Sequence, residues 1–297
     1  MTMGRGRRVP TPVEGEWTIT GTGTPLQFIA AEYIGEDLYT YGGGTGSMAS
    51  QLSRRMAKGE SSFTVLGATN PPSLRVMIAS CSANGKFYVC GGRRNPSGAQ
   101  VTDNGIYEYD PVTNNWSVFA TMHVGSYGHT FFYYRDTFWY IGGDVVNLYR
   151  MDPETKVFSQ YGPNNPAGTC YYTTARVIGN KLVIGGGYNP SNLIAVFDFD
   201  ALTWSTVPGP GTSFYVQTGA SDEYYYIFGG QAGGAAVKTA YRFSPSTGIL
   251  TPYPALDLLK ALACSGAAMK SGRILTLVGG IDQAGTGNSN VYSTILP

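Results

Sequence analysis

The sequence predicts an all-β chain folded as one six-bladed β-propeller, and three observations carry that expectation. An apolar or aromatic strand ending in two glycines recurs six times, at Gly42-Gly43, Gly91-Gly92, Gly142-Gly143, Gly186-Gly187, Gly229-Gly230 and Gly279-Gly280. The copies lie 43 to 51 residues apart, the period of a propeller or another repeat array. Each pair sits in a unit readable as four strands, and the two chain ends look like complementary parts of one unit. A length of 297 residues ordinarily suggests about two domains, but a closed repeat ring fits it into one. Apolar residues make up 42% of the chain, with 22 Tyr and 13 Phe, enough for a core. With 41 glycines and only 13% charged residues, the composition fits short strands joined by tight turns.

Residues 1–13 read as a flexible arm and 14–297 as the propeller. After the arm, Glu16-Trp17-Thr18-Ile19 reads as a fourth strand with no blade before it. The first unit is the most degenerate: Leu38–Tyr41 is clear, but 44–59 carries Arg54, Arg55 and Lys58 where a third strand belongs. Its fourth strand is expected at 62–66, with Phe63 in the Trp position, and 50–58 is one of two stretches with some helical character. The second unit is the clearest. Strands are expected at 74–82, 86–90, 106–110 and 116–119, with Asn84-Gly85 as the first turn. β-Branched and aromatic content, alternation and turn dipeptides are the signals used.

The third unit is read at 128–134, 138–141, 148–152 and 157–161, and the fourth at 171–178, 182–184, 195–200 and 203–207. The fifth is read at 214–219, 225–228, 240–243 and 249–253, followed by the second weakly helical stretch, 256–262. Asp110-Pro111, Asp152-Pro153 and Ser244-Pro245 open turns, because Pro presets φ and the preceding side-chain oxygen caps the turn. The sixth unit supplies 263–269, 274–278 and 291–295 and then ends. Its missing fourth strand is expected from residues 16–19, with Trp17 in the place that Trp116 and Trp204 hold in their units. That closure removes two open sheet edges.

These residues resemble the kelch-repeat β-propellers. The apolar strand, Gly-Gly pair, spaced Tyr near an Asp and following Trp appear as Gly91-Gly92, Tyr107, Asp110 and Trp116. Gly186-Gly187, Phe197, Asp198 or Asp200, and Trp204 form the next-best copy. The pattern covers the chain after the arm, although Phe63, Phe158 and Leu250 replace Trp in units one, three and five. The resemblance implies a propeller that mostly binds other proteins, with oxidases and sugar mutarotases as enzymatic cousins. The glycines serve the backbone, and the periodic Tyr and Trp read as packing between blades.

Little catalytic chemistry is legible. Copper oxidase chemistry of the resembling family needs two His, two Tyr and a thioether Cys, and this chain has only His123 and His129, six apart. Cys81, Cys90, Cys170 and Cys264 form no CxxC pair and read as buried free thiols. No P-loop, nucleophile elbow or zinc-protease motif is present. No cofactor or metal is therefore expected. Asp144 and Asp282, just after their glycine pairs, are acid–base candidates set against the plainer reading of solvated loop acids.

Net charge of +1 argues against a nucleic-acid or anionic-membrane binder. No apolar run approaches the ~18–20 residues of a membrane span, and no secretion signal is seen, so a cytoplasmic or virion location is expected. What remains is surface. Strand alternation puts the loops 44–58, 93–104, 231–238 and 281–290 on one face, with His123 beside them, over a rigid scaffold. Arg54, Arg55, Arg93 and Arg94 are candidates for an acidic-ligand surface there. Arg5, Arg7 and Arg8 make the arm a candidate docking element that gains order on a partner chain. The expected function is a non-enzymatic interaction or structural module of a larger assembly. Low charge with abundant Gly, Thr and Tyr is in the style of a phage virion protein of head, neck or tail. A galactose-oxidase-like or mutarotase-like enzyme and a carbohydrate-binding propeller are the alternatives.

Overall fold

Six four-stranded antiparallel sheets account for the repeats in the computed structural model, which describes residues 9–45, 48–94, 101–172, 174–188, 192–211, 215–270 and 272–297. Arg5, Arg7 and Arg8 lie outside the described residues. Blade 1 comprises Ala30–Ile34, Asp37–Tyr41, Ser53–Met56 and Thr64–Leu66, from the axis outward. Blade 2 comprises Ala79–Ala83, Lys86–Cys90, Gly105–Asp110 and Asn115–Thr121. Blade 3 comprises His129–Tyr134, Thr137–Gly142, Val145–Met151 and Phe158–Gln160. Blade 4 comprises Arg176–Ile178, Lys181–Ile184, Leu193–Asp198 and Thr203–Pro208. Blade 5 comprises Gln217–Ala220, Tyr225–Phe228, Ala240–Ser244 and Ile249–Pro252.

Blade 6 takes Gly266–Lys270, Ile274–Val278 and Asn290–Ile295 from the C-terminal end and Thr18–Thr22 from the N-terminal end. The outer strand pairs Thr18 with Ser293 and Ile19 with Tyr292, then resumes at Gly21 with Val291 after a bulge. The three tryptophans at outer strands reach back in the same way. Trp116 Nε1 donates to Ser53 Oγ of blade 1, Trp204 Nε1 to the Pro163 carbonyl after blade 3, and Trp17 Nε1 to the Leu256 carbonyl after blade 5 (2.9 Å each). Each buries an indole against the preceding blade while satisfying its one donor.

The glycine pairs have a geometric cause. Gly91 and Gly92 adopt φ of 61° and 88°, and the Gly92 N–H donates to Ser126 O of the linker into the next blade (2.9 Å). A Cβ on Gly92 would stand 2.8 Å from Val76 O, so no side chain fits. The second glycine of blades 1, 3, 5 and 6 makes the same link, to Arg75 O, Cys170 O, Leu262 O and Leu26 O. The repeat signal is thus the lock between neighbouring blades.

Four expectations are corrected. The inner strands expected at 74–82, 171–178, 214–219 and 263–269 begin later, because Met77, Tyr172, Tyr215 and Cys264 adopt left-handed φ of 58–61°. The helical reading of 50–58 fails: Ser53–Met56 is the third strand of blade 1, with Arg54 opposite Thr40 and Arg55 opposite Tyr39, so ladder pairing overrides local propensity. Of 256–262, only a 3-10 turn at Pro254–Leu256 overlaps it. The arm is also not free along its whole length. Val9, Pro10 and Pro12 line a cavity with Tyr33, Met56 and Lys270, and Ile295 N–H donates to Val13 O, so residues 9–13 lie on blades 1 and 6.

The candidate recognition face

Six linkers converge where the inner strands begin, on the face that carries the loops after the glycine pairs. Phe28, Met77, Gly128, Tyr172, Tyr215 and Cys264 occupy equivalent positions there, and all six have φ between 54° and 61°. Successive linkers join by backbone hydrogen bonds: Gly128 N to Met77 O, Tyr172 N to Gly128 O, Cys264 N to Tyr215 O, and Phe28 N to Cys264 O (2.8–3.2 Å). Left-handed φ is strained for bulky residues, and here this girdle of hydrogen bonds holds it.

The same turn throws aromatic side chains over the axis. Phe28 of blade 1 meets Tyr172 of blade 4 at 5.8 Å and Tyr215 of blade 5 at 5.4 Å, and Tyr172 and Tyr215 lie 4.5 Å apart. Tyr127, Tyr171 and Tyr188 continue the surface outward, each 5.3–6.2 Å from Tyr171 or its neighbour ring. Tyr188 is 43% exposed and the others are half-buried. Arg93 lies flat over Tyr127, its guanidinium carbon 3.5 Å from the ring centre.

Below this cap the axial channel has a cavity volume of about 90 Å³, lined by the inner strands of blades 1, 2, 3 and 6 and by the linkers that lead into blades 4 and 5. Ligand pockets run to roughly 300–1,000 Å³, so the interior suits waters rather than a sugar. Glu32 of blade 1 projects into it, and burial pushes its carboxyl up from 4.5 to about 8, against the pull of Arg176 and a hydrogen bond from Ser80 Oγ (3.0 Å). Arg176 of blade 4 donates to Thr218 O of blade 5 at 2.9 Å and to Ala267 O of blade 6 at 3.5 Å. Because the folded-state value is raised, Glu32 takes up a proton on folding. The associated stability is full below about pH 4.5 and is lost as pH rises through about 8. A shift of that size corresponds to on the order of 5 kcal/mol. Urea midpoints measured from pH 5 to 9 are expected to fall with pH, and Glu32→Gln should flatten the fall. Parallel curves for both proteins would remove Glu32 as the cause.

The sequence candidates divide. Arg93 and Arg94 sit at the mouth, and Arg94 pairs with Asp103 (3.2 Å). Arg54 and Arg55 do not join them. Arg54 is 6% exposed within its blade, and Arg55 pairs with Asp37 (2.6 Å) toward the short-turn side, because both lie on a strand rather than a loop. Asp144 accepts the Tyr171 hydroxyl (2.8 Å) and so supports the aromatic surface. Asp282 caps its own loop through Thr286 N and Ala284 N, and Lys260 holds its carboxyl below the usual range. His123 is exposed and stacks on Tyr149 at 5.6 Å.

His129 is buried beside Cys90 (Nε2 to Sγ 3.5 Å), and burial takes its pKa down to about 3. Cys170 and Cys264 are pushed up to about 12, and Cys81 and Cys90 also rise, all by burial. A neutral imidazole beside a neutral thiol is packing, not a nucleophile pair. Among the described residues no group of three or more His, Cys, Asp or Glu could hold a metal, and no helix is long and apolar enough to cross a membrane. Sequence reasoning missed Arg75. It is 1% exposed, bonded to Gly91 O (3.0 Å) and Asp103 (3.0 Å), and it braces the strand that carries Arg93.

Six blades closed by a strand from the opposite end and capped by an aromatic mouth define a β-propeller with one candidate recognition face. A profile for the KLHDC2/KLHL20/DRC7 Kelch-repeats domain matches residues 28–216, well over half the chain. The chain belongs to the kelch-repeat family. It is 24% identical over 226 residues to Kelch-like protein 25 of Xenopus tropicalis, a match spanning 70% of this chain and 37% of that relative's length. The solved structure of YjhT superposes with a TM-score of 0.74 at 17% identity, covering 92% of this chain and 95% of that one. That likeness confirms the fold.

Proposed function

We propose that this propeller is a non-enzymatic recognition module that binds another protein through its long-loop face, within a larger assembly. The observation that carries the reading is the continuous aromatic surface from Tyr188 through Tyr171, Tyr127 and Tyr172 to Tyr215 and Phe28, with Arg93 and Arg94 at its edge. Tyr and Arg dominate binding hot spots because each combines a large desolvable surface with a polar tip. The neutral, buried thiols and His129 support a role without nucleophilic catalysis. The narrower reading, a phage virion component, draws on composition alone. Docking through the arm now concerns residues 1–8.

Affinity capture followed by binding of the purified partner tests the proposal. Tyr188→Ala with Tyr171→Ala is expected to weaken binding at least tenfold, about 1.4 kcal/mol. Val118→Ser, 71% exposed on the outer strand of blade 2, should leave it unchanged. The reverse pattern would move recognition to the rim, and capture by a glycan array alone would favour the carbohydrate alternative.

A further inference from the structure

Residues 9–13 cross a cleft between blades 6 and 1 on the short-turn side, and they cover it without filling it. A cavity of about 150 Å³ remains beside Val9, Pro10 and Pro12, walled by Tyr33, Leu38 and Met56 of blade 1 and Ile274 of blade 6. The hydroxyls at its base are engaged with one another. Thr20 Oγ1, Ser293 Oγ, Thr276 Oγ1 and Tyr33 OH form one chain of hydrogen bonds at 2.8–2.9 Å. At the rim, Glu36 is clamped between Lys270 (2.8 Å) and Lys58 (3.2 Å). A base already satisfied in this way favours an apolar occupant over a polar one. An apolar cavity near this size accepts a benzene ring.

The covering segment is weakly held. Residues 9–12 make no hydrogen bond to a described residue, and Pro10 and Thr11 are exposed. Their anchorage is the turn that follows. Ile295 N donates to Val13 O (3.3 Å), Gly15 N donates to Ile295 O (3.0 Å), and the exposed Glu14 carboxylate pairs with Arg273 (3.1 Å). Gly15, at φ of 73° with nothing near its Cβ position, lets the segment swing while the strand Thr18–Thr22 stays paired.

We propose that this cleft is a second docking site, separate from the aromatic mouth, and that residues 9–13 are a displaceable strap over it. The occupant is an extended, proline-containing segment of another protein that carries a bulky apolar side chain. The chain's own Val9-Pro10-Thr11-Pro12 shows the kind of backbone the cleft accepts. Proline holds such a segment extended before it binds, so little freedom is lost on docking. The unfilled volume calls for more bulk than valine and proline supply, and a phenylalanine in the place of Val9 meets that need.

The test uses the full chain and the fluorescence anisotropy of a labelled, capped Phe-Pro-Thr-Pro-Val peptide. Pro10→Asp with Pro12→Asp loosens the strap and leaves the closing strand in place. This double variant is expected to bind the peptide at least tenfold more tightly than the wild type. A Phe-Gly-Thr-Gly-Val peptide should bind it at least tenfold more weakly. Adding Ile274→Asp to the double variant should abolish binding, whereas adding Tyr171→Ala and Tyr188→Ala should not. Equal affinity for the wild type and the double variant overturns the strap, and no binding to either overturns the site. Binding that survives Ile274→Asp but is lost with the two tyrosines also overturns it, since the peptide then sits at the aromatic mouth. Should Ile274→Asp fail to fold, the ¹³C methyl resonance of Met56 in the double variant decides. It is expected to move on adding the peptide, and a static resonance overturns the site.

Discussion

Removing residues 1–22 is expected to leave a chain that no longer folds stably at room temperature. The deletion takes the outer strand of blade 6 and exposes the edge of Asn290–Ile295. It also takes the Trp17 indole, 8% exposed, from its edge-on contact with Phe228 at 5.3 Å and its hydrogen bond to Leu256 O. Truncating a buried Trp costs about 3–5 kcal/mol, and each lost strand hydrogen bond about 1 kcal/mol net. Together these approach the roughly 5–15 kcal/mol by which a typical domain is stable. The opened edge is in addition a template for pairing with other chains. Urea unfolding followed by circular dichroism reads the effect, with Trp17→Ala isolating the indole share. A peptide of residues 9–24 added in trans should restore part of the loss. A truncated chain melting at the full-length temperature would sink the closure argument.

Asp103→Ala should cost about 3–5 kcal/mol, far more than its surface position in the sequence suggests. The substitution leaves Arg75 buried at 1% exposure with its carboxylate gone. It also removes the acceptor of the Gly105 N–H (2.6 Å) and the partner of Arg94. Stranding a buried charge costs more than removing the pair, so Arg75→Met combined with Asp103→Ala should recover a large part of the stability. A double variant as unstable as Asp103→Ala would show that the cost lies in the loop around Gly105 rather than in the stranded guanidinium. Tyr107, whose ring lies 4.5 Å under Arg75, provides the remaining support for that charge.

The contrast between Gly92 and Arg75 shows how far local sequence reaches. Gly92 is legible because its cause is local. A residue at φ of 88° with a carbonyl in its Cβ position has to be glycine, and the second glycines of blades 1, 3, 5 and 6 likewise adopt positive φ, between 62° and 90°. Trp17 was legible for a related reason. A strand without a blade at one end and a blade without a strand at the other leave one way to satisfy both edges. The spacing of the glycine pairs therefore determined the number of blades, and the unpaired ends determined the closure.

The aromatic mouth was not legible, because nothing in its residues announces it. Tyr172 and Tyr215 read as strand residues, and Phe28 drew no reading, until the girdle of linker hydrogen bonds turns them left-handed and aims their rings over the axis. Arg54 and Arg93 both read as loop arginines. Pairing with Tyr39-Thr40 draws the first into a ladder, while Tyr127, brought in from the linker to blade 3, holds the second at the mouth. Glu32 and Arg176, 144 positions apart, share one channel only because blades 1 and 4 face each other across it. Sequence by itself determined the repeat, the strand order within each blade and the closing strand, since these follow from backbone pairing and local turn chemistry. Only the closed ring decided which side chains share the axis and its mouth, because those contacts join residues whose separation along the chain carries no record of their meeting.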